Sequence, residues 1–271
     1  MSQKLLRFGL HDFLNAQPLL VPLLGMAEKN GLEMVIDAPA KLAQMLKAET
    51  LDLAMIPTVE YLKEADRYRL IPGVSIASCG QVGTVLFISK VPVGDIETLA
   101  LDERSRTSVA LLNILFAKKF NRRIAFDPSP PDPGTMLSTH DAALIIGDQN
   151  FNLPRLPTGT TVCDLSEEWY LKTAKTFVHA VIAVREGVDL KAETCAMIRS
   201  AKRQGIQSIP TIANNFAAVR GMDSAVCEDY LRNKIIYDLG EQELEGMTLF
   251  QQLCYEQGLI PQKHEIQFVG G

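Results

Sequence analysis

The chain has 271 residues, 47% of them hydrophobic and 22% charged, which is globular composition with length for one large domain or two medium ones. A net charge of −5 offers no basic field to hold nucleic acid, so an anionic ligand has to be met by local donors. No apolar run is long enough to span a membrane, and the amino terminus, MSQKLLRFGLHDF, lacks the apolar core of an export signal, so a cytoplasmic protein is expected.

Taken in chain order, KLLRFGL reads as a buried strand, and NAQPLLVPLLGMAEKNG as a helix closed by Gly31. LEMVIDA is a strand, PAKLAQMLKAET a helix, LDLAMIP a third strand and TVEYLKEAD a helix. YRLIPGVSIASCG and QVGTVLFISK read as two more strands. A second alternating block follows: strand ETLALD, helix SRTSVALLNILFAKKFN, strand RRIAFDP, the proline-rich loop SPPDPG, and a buried strand within HDAALIIGDQN. A polar helix, DLSEEWYLKTAK, leads into the strand TFVHAVIAVRE. The remainder is mainly helical: LKAETCAMIRSAKRQGIQSI, PTIANNFAAVRG, DSAVCEDYLRN, a short KIIYDLG, then EQELEGMTLFQQLCYEQG. Strands alternating with helices predict mostly parallel sheets covered on both faces. Two strands, Gly83–Ser89 and Phe177–Val184, bracket the middle block. If both cross between lobes, the middle block is one lobe, the chain ends build the other, and a ligand cleft lies between them.

The segment Leu99–Phe120 gathers Ser105, Arg106, Thr107 and Ser108 between a strand and a helix. A helix start exposes unpaired N–H groups and partial positive charge, so these hydroxyls and amides can close on a carboxylate, with Arg106 adding a bidentate contact. The plain alternative is that Ser105 only caps the helix. Asn15, after the first strand, either caps the first helix or presents its amide to a ligand. Thr58 stands at a third helix start, where capping is the simpler role. Gly80 and Gly83 flank Gln81 just before Thr84, and they either form a turn or admit close backbone approach. No GxGxxG or P-loop pattern is present. Acid–base candidates are Asp12, Asp148 after the strand-ending Gly147, and His179, which alternates with apolar residues as a core histidine does. The five cysteines are scattered without a CxxC pair and read as reduced packing residues. The four histidines lie far apart, so no metal site is expected.

FLNAQPL, DLAMIPTVEYL, LDERSRTSVALL, ALIIGDQ, DLSEEW and YDLGEQELEGMTLFQQLCYEQGLI occur in this order over nearly the whole chain. Together they resemble the chorismate dehydratase family of the futalosine route to menaquinone. The FLNAxPL start separates it from the related dihydroxynaphthoate synthases, whose start resembles SPCPNDTF. The resemblance implies an α/β fold of two lobes like type II periplasmic solute-binding proteins, with mixed, mostly parallel sheets and a double crossover. Lobe 1 is then 1–89 with 180–271, and lobe 2 is 90–179. It also implies a cytoplasmic monomer or homodimer acting on a small dianion, with no metal or organic cofactor. The implied reaction removes water from chorismate to give 3-[(1-carboxyvinyl)oxy]benzoate. The expected site has Asn15 and Asp148 as catalytic residues. Its substrate contacts are Thr58, Gly80, Gln81, Thr84, Ser105, Arg106, Thr107, Ser108, Gly147 and His179. The base is either the substrate's own enolpyruvyl carboxylate or Asp148. The family usually carries something like TGLPFVFAVW after EEW, whereas this chain has Thr173 to Ile182 as TAKTFVHAVI, with His179 in place of a phenylalanine. That departure keeps open a binding protein or a diverged paralogue for another small aromatic or enolpyruvyl carboxylate.

Overall fold

The computed structural model describes residues 5–116, 119 and 124–270. The tail of the expected helix toward Asn121, and Arg122 and Arg123 of the expected strand, fall largely outside them. Two five-stranded sheets organise the described chain. The first runs β2 (Leu32–Ile36), β1 (Leu6–Leu10), β3 (Leu53–Pro57), β10 (Phe177–Arg185), β4 (Tyr68–Ser78). The second runs β7 (Ala125–Ser129), β6 (Thr98–Asp102), β8 (Ala142–Ile146), β5 (Val85–Ser89), β9 (Thr161–Asp164). In each sheet one strand, β10 or β5, runs antiparallel to both its neighbours, and the other four share a direction. The sheets are therefore mixed and mostly parallel. β3 and β5 are buried along their whole length, as apolar runs covered on both faces should be.

The chain passes between lobes twice, after β4 and again before β10. Strand pairing shifts the expected lobe boundaries. Val85–Ser89 belongs to the second sheet, not to lobe 1, and Phe177–His179 to the first sheet, not to lobe 2. Asp164 ties the two crossings together. Its carboxylate accepts from the N–H groups of Val82 (3.0 Å) and Gly83 (2.5 Å) in one crossing. It also accepts from Ser166 (3.0 Å) and Glu167 (3.2 Å) at the start of α6 (Leu165–Thr173), which leads into the other. Behind the second crossing, Trp169 is wholly buried between the rings of Phe177 and Phe250, with centroids 5.4 and 6.0 Å away.

Around the first sheet pack α1 (Gln17–Met26), α2 (Pro39–Lys47), α3 (Thr58–Lys63), α7 (Ala192–Gln207), α8 (Ile209–Arg220), α9 (Ser224–Asp229) and α10 (Glu241–Glu256); α4 (Thr107–Phe116) and α5 (Pro133–Thr139) belong to the second lobe. Two elements depart from the sequence reading. The expected proline-rich loop contains α5, because Asp132 accepts the Thr135 N–H at 2.6 Å and Pro133 takes the first helical position, where its missing N–H is no loss. The four-residue edge strand β9 lies in a stretch with no helix–strand alternation to mark it.

Candidate active site

A cleft with about 610 Å³ of empty space, part of it open to solvent, lies between the lobes where strand ends and helix starts converge. Asn15, Thr84, Ser105, Arg106, Thr107, Ser108, Gly147 and His179 all line it. The Asn15 turn and the start of α4 thus share one hollow, as the sequence reading requires.

α4 starts as expected after β6. The hydroxyls of Ser105, Thr107 and Ser108 are buried with it, and its first-turn N–H groups have no intrahelical acceptors. Thr107 Oγ1 accepts the Val59 N–H at 3.2 Å, linking the start of α4 to the start of α3 across the lobes and leaving the hydroxyl proton free to donate. The buried Ser105 Oγ, Asn15 Oδ1 and His11 Nδ1 have no hydrogen-bond partner among the described residues. Leaving such an atom unpaired costs on the order of 1–3 kcal/mol, so the cleft is built for a polar guest that supplies the missing hydrogen bonds.

The two arginines of the DERSRTS turn have different tasks. Arg104 grips Asp102 through Nε (2.9 Å) and Nη2 (2.8 Å), donates to the Ile146 carbonyl (2.9 Å), and lies over the Phe13 ring, 5.1 Å from its centroid. Its charge is spent on holding the loop. Among the described residues Arg106 makes only a long bond to the Ser105 carbonyl (3.4 Å), which leaves its guanidinium available to an anion in the cleft.

Five expected residues lie elsewhere. Thr58 is fully buried at the start of α3 and does not reach the cleft wall, and its Oγ1 has no partner among the described residues. Gly80 and the exposed Gln81 also stay off the cleft; Gly80, at φ 81°, serves the first crossing, a conformation that favours glycine. Asp148 turns its carboxylate onto the Leu14 N–H (3.1 and 2.9 Å) and faces a neighbouring hollow shared with Asp12 and Arg220. Burial pushes its pKa up to about 6, against the opposing pull of the Leu14 N–H. Asp12 is paired with Arg220 at 2.7 Å, outside the cleft.

The structure adds His11, Phe13, Arg104 and Tyr230 to the cleft. His11 lies tilted against Phe13 with centroids 5.0 Å apart, and burial lowers its pKa to about 4, so the ring is neutral near pH 7. Its position at the carboxyl end of β1, in the same segment as Asn15, was the signal that marks it. Tyr230 opens a wide π-turn, Tyr230–Lys234, a deformation that often accompanies functional sites. Its hydroxyl meets Thr84 Oγ1 at 3.0 Å and is approached by the Asn15 side chain. Burial raises its pKa, so the phenol stays protonated. Nothing in local sequence links position 230 to positions 15 and 84. Among the described residues no group of three or more His, Cys, Asp or Glu is arranged to hold a metal ion, and no helix is long and apolar enough to cross a membrane.

A family model described as menaquinone biosynthesis matches residues 6–256. The chain is 28% identical over 252 residues to the chorismate dehydratase of Thermus thermophilus, covering 85% of this chain and 90% of that protein. Among solved structures it is similar to protein AF1704 from Archaeoglobus fulgidus, with a TM-score of 0.75, 17% identity and coverage of 96% of this chain and 100% of that one. It is also similar to the periplasmic aliphatic sulphonate binding protein SsuA from Escherichia coli, with a TM-score of 0.63, 14% identity and coverage of 100% and 95%. At those identities the structural likeness speaks for the fold, which is the two-lobed fold of periplasmic binding proteins. With nearly its whole length matched, the chain belongs to the menaquinone biosynthesis family.

Proposed function

We propose that this protein is a chorismate dehydratase of the futalosine route, a carbon–oxygen lyase that converts chorismate into 3-[(1-carboxyvinyl)oxy]benzoate and water. One observation carries the proposal most: in a family-matched chain, Asn15 Oδ1 and Ser105 Oγ are buried, lack a partner among the described residues, and lie in one interlobe cleft beside the start of α4. That arrangement suits a small dianion. One carboxylate is held by the hydroxyls and first-turn amides of α4 with Arg106. Asn15 hydrogen-bonds near the reacting carbons.

In the reaction the C3–H bond breaks, its electron pair becomes part of the ring, and the C4–O bond breaks. The proton and hydroxide leave as water. Aromatisation supplies the driving force, so the protein mainly has to hold and orient the substrate. Asp148 lies outside the cleft with its carboxylate on the Leu14 N–H, which favours the substrate's own enolpyruvyl carboxylate as the base. The same proposal has the enzyme working in the cytoplasm, as a monomer or homodimer, with no metal or organic cofactor.

The test is purified protein with chorismate, followed by proton NMR. Aromatic ring signals should appear at catalytic turnover, and a folded Asn15→Ala enzyme should lose about 100-fold or more in rate, as when a transition-state hydrogen bond is removed. Stoichiometric binding of chorismate with no aromatic product would replace the enzyme with a binding protein.

A further inference from the structure

His179 lies in the cleft wall as the extra residue of a β-bulge. β10 advances two residues, from Val178 to Ala180, while its partner β4 advances one, from Ala77 to Ile76. A bulge of this kind re-aims a side chain and leaves its residue out of the regular ladder. The ring it re-aims is then fixed from behind. His179 Nε2 is 2.7 Å from Ser78 Oγ, and Ser78 Oγ is 2.5 Å from Ser166 Oγ. Both serines are buried, Ser78 ending β4 and Ser166 opening α6, so the chain of three links both lobes. Phe177 packs edge-on against the imidazole with centroids 5.0 Å apart.

With Nε2 engaged, the ring has one hydrogen-bonding atom left, Nδ1, for which the described residues provide no partner. The ring is enclosed by protein but keeps some exposure, and that exposure is to the cleft. Burial lowers the His179 pKa to about 4, so near pH 7 the cleft meets a neutral imidazole. Ala180, next along β10, and Ile76, paired with it in β4, also line the cleft and are apolar. A single neutral hydrogen-bonding atom in an apolar wall matches a hydroxyl better than a carboxylate, which is already served by Arg106 and α4 on the opposite lobe.

We propose that His179, aimed by the bulge and held by Ser78 and Ser166, is a specificity residue that hydrogen-bonds the ring hydroxyl of the bound acid. On the dehydratase reading, on which this rests, that is the C4 hydroxyl of chorismate. The hydroxyl is lost in the reaction, so His179 favours substrate over product.

The test compares two constants in each variant: KM for chorismate, and the inhibition constant of 3-[(1-carboxyvinyl)oxy]benzoate, which lacks the hydroxyl. His179→Phe should raise the first about tenfold, the size of one lost hydrogen bond, and leave the second within about twofold. His179→Gln, which keeps a donor and an acceptor, should restore most of the difference. Ser78→Ala, which frees the ring behind, should fall between the two and provides the readout if His179→Phe does not fold. General damage moves both constants together, so parallel changes, or none, overturn the assignment. If the wild-type protein binds chorismate but forms no aromatic product, the dissociation constants of the two acids take the place of KM and the inhibition constant. The dehydratase reading then fails while the hydroxyl preference is still measured. A protein that binds neither acid refutes the role of His179.

Discussion

Gly205 on α7 is where the fold most tightly constrains the site. A Cβ added there would lie 1.6 Å from the Pro18 carbonyl oxygen, 2.4 Å from its carbon and 2.7 Å from its Cα. All three are backbone atoms at the start of α1, so no side-chain rotation relieves the clash. Restoring ordinary contact demands about 1.8 Å of separation between α7 and α1, which puts the cost at the upper end of the range for overpacking, or about 3 kcal/mol. The gain in helix propensity from Gly to Ala returns only about 1 kcal/mol. Gly205→Ala should therefore destabilise the protein by about 2 kcal/mol, or about 5 °C in Tm for a chain of this size. The displaced start of α1 carries Asn15, three residues before Pro18, so chorismate turnover should fall by up to about 100-fold as its geometry loosens. Gly25, also in α1, has nothing within 4 Å of an added Cβ, and Gly25→Ala should stabilise by about 0.5–1 kcal/mol. Thermal and urea unfolding of both variants, with turnover measured alongside, make the comparison. A Gly205→Ala protein as stable and active as wild type would show that the close approach of α7 to Pro18 does not hold the Asn15 turn.

Asp148 has a folded pKa of about 6 against an ordinary 3.8. Its raised value favours the folded state fully below pH ~4, and that advantage is lost as pH rises through 6. Asp148→Asn should accordingly gain stability relative to wild type, from near zero at pH 4 to on the order of 2–3 kcal/mol at pH 7. Urea midpoints across that window measure it, and a pH-independent difference would contradict the assignment. Ser105→Ala should show opposite signs in two assays. Loss of the unpaired buried hydroxyl leaves the ligand-free protein as stable or up to about 1 kcal/mol more so, while affinity for chorismate falls about tenfold. Asp164→Ala strips the acceptor from four backbone N–H groups at both crossings and should cost about 3–5 kcal/mol by urea unfolding, more than loss of a helix cap alone, which is about 1 kcal/mol.

Much of the architecture was legible in the linear pattern. Alternation of short apolar runs with helical lengths gave nine of the ten described strands in order, and helix-start chemistry pointed to Ser105–Ser108. Asn15 was visible because it falls between a strand end and a helix. What failed to show was of two kinds. Asp132 and Pro133 are a helix start that also looks like a proline-rich loop, and only the packed surroundings choose between them. The remaining omissions are contacts between distant positions: Tyr230 with Thr84, Arg104 committed to Asp102 while Arg106 stays available, and Asp148 turned to Leu14 instead of the cleft.

By itself the sequence determined the elements, their amphipathic faces and the polar helix start that can receive an anion, because these depend on periodicity and on residues within one turn of each other. Tertiary structure alone decided which strands share a sheet, where the two crossings fall, and which polar atoms face the cleft without a partner. Those outcomes follow from long-range pairing and steric fit, and neither leaves a local pattern to read.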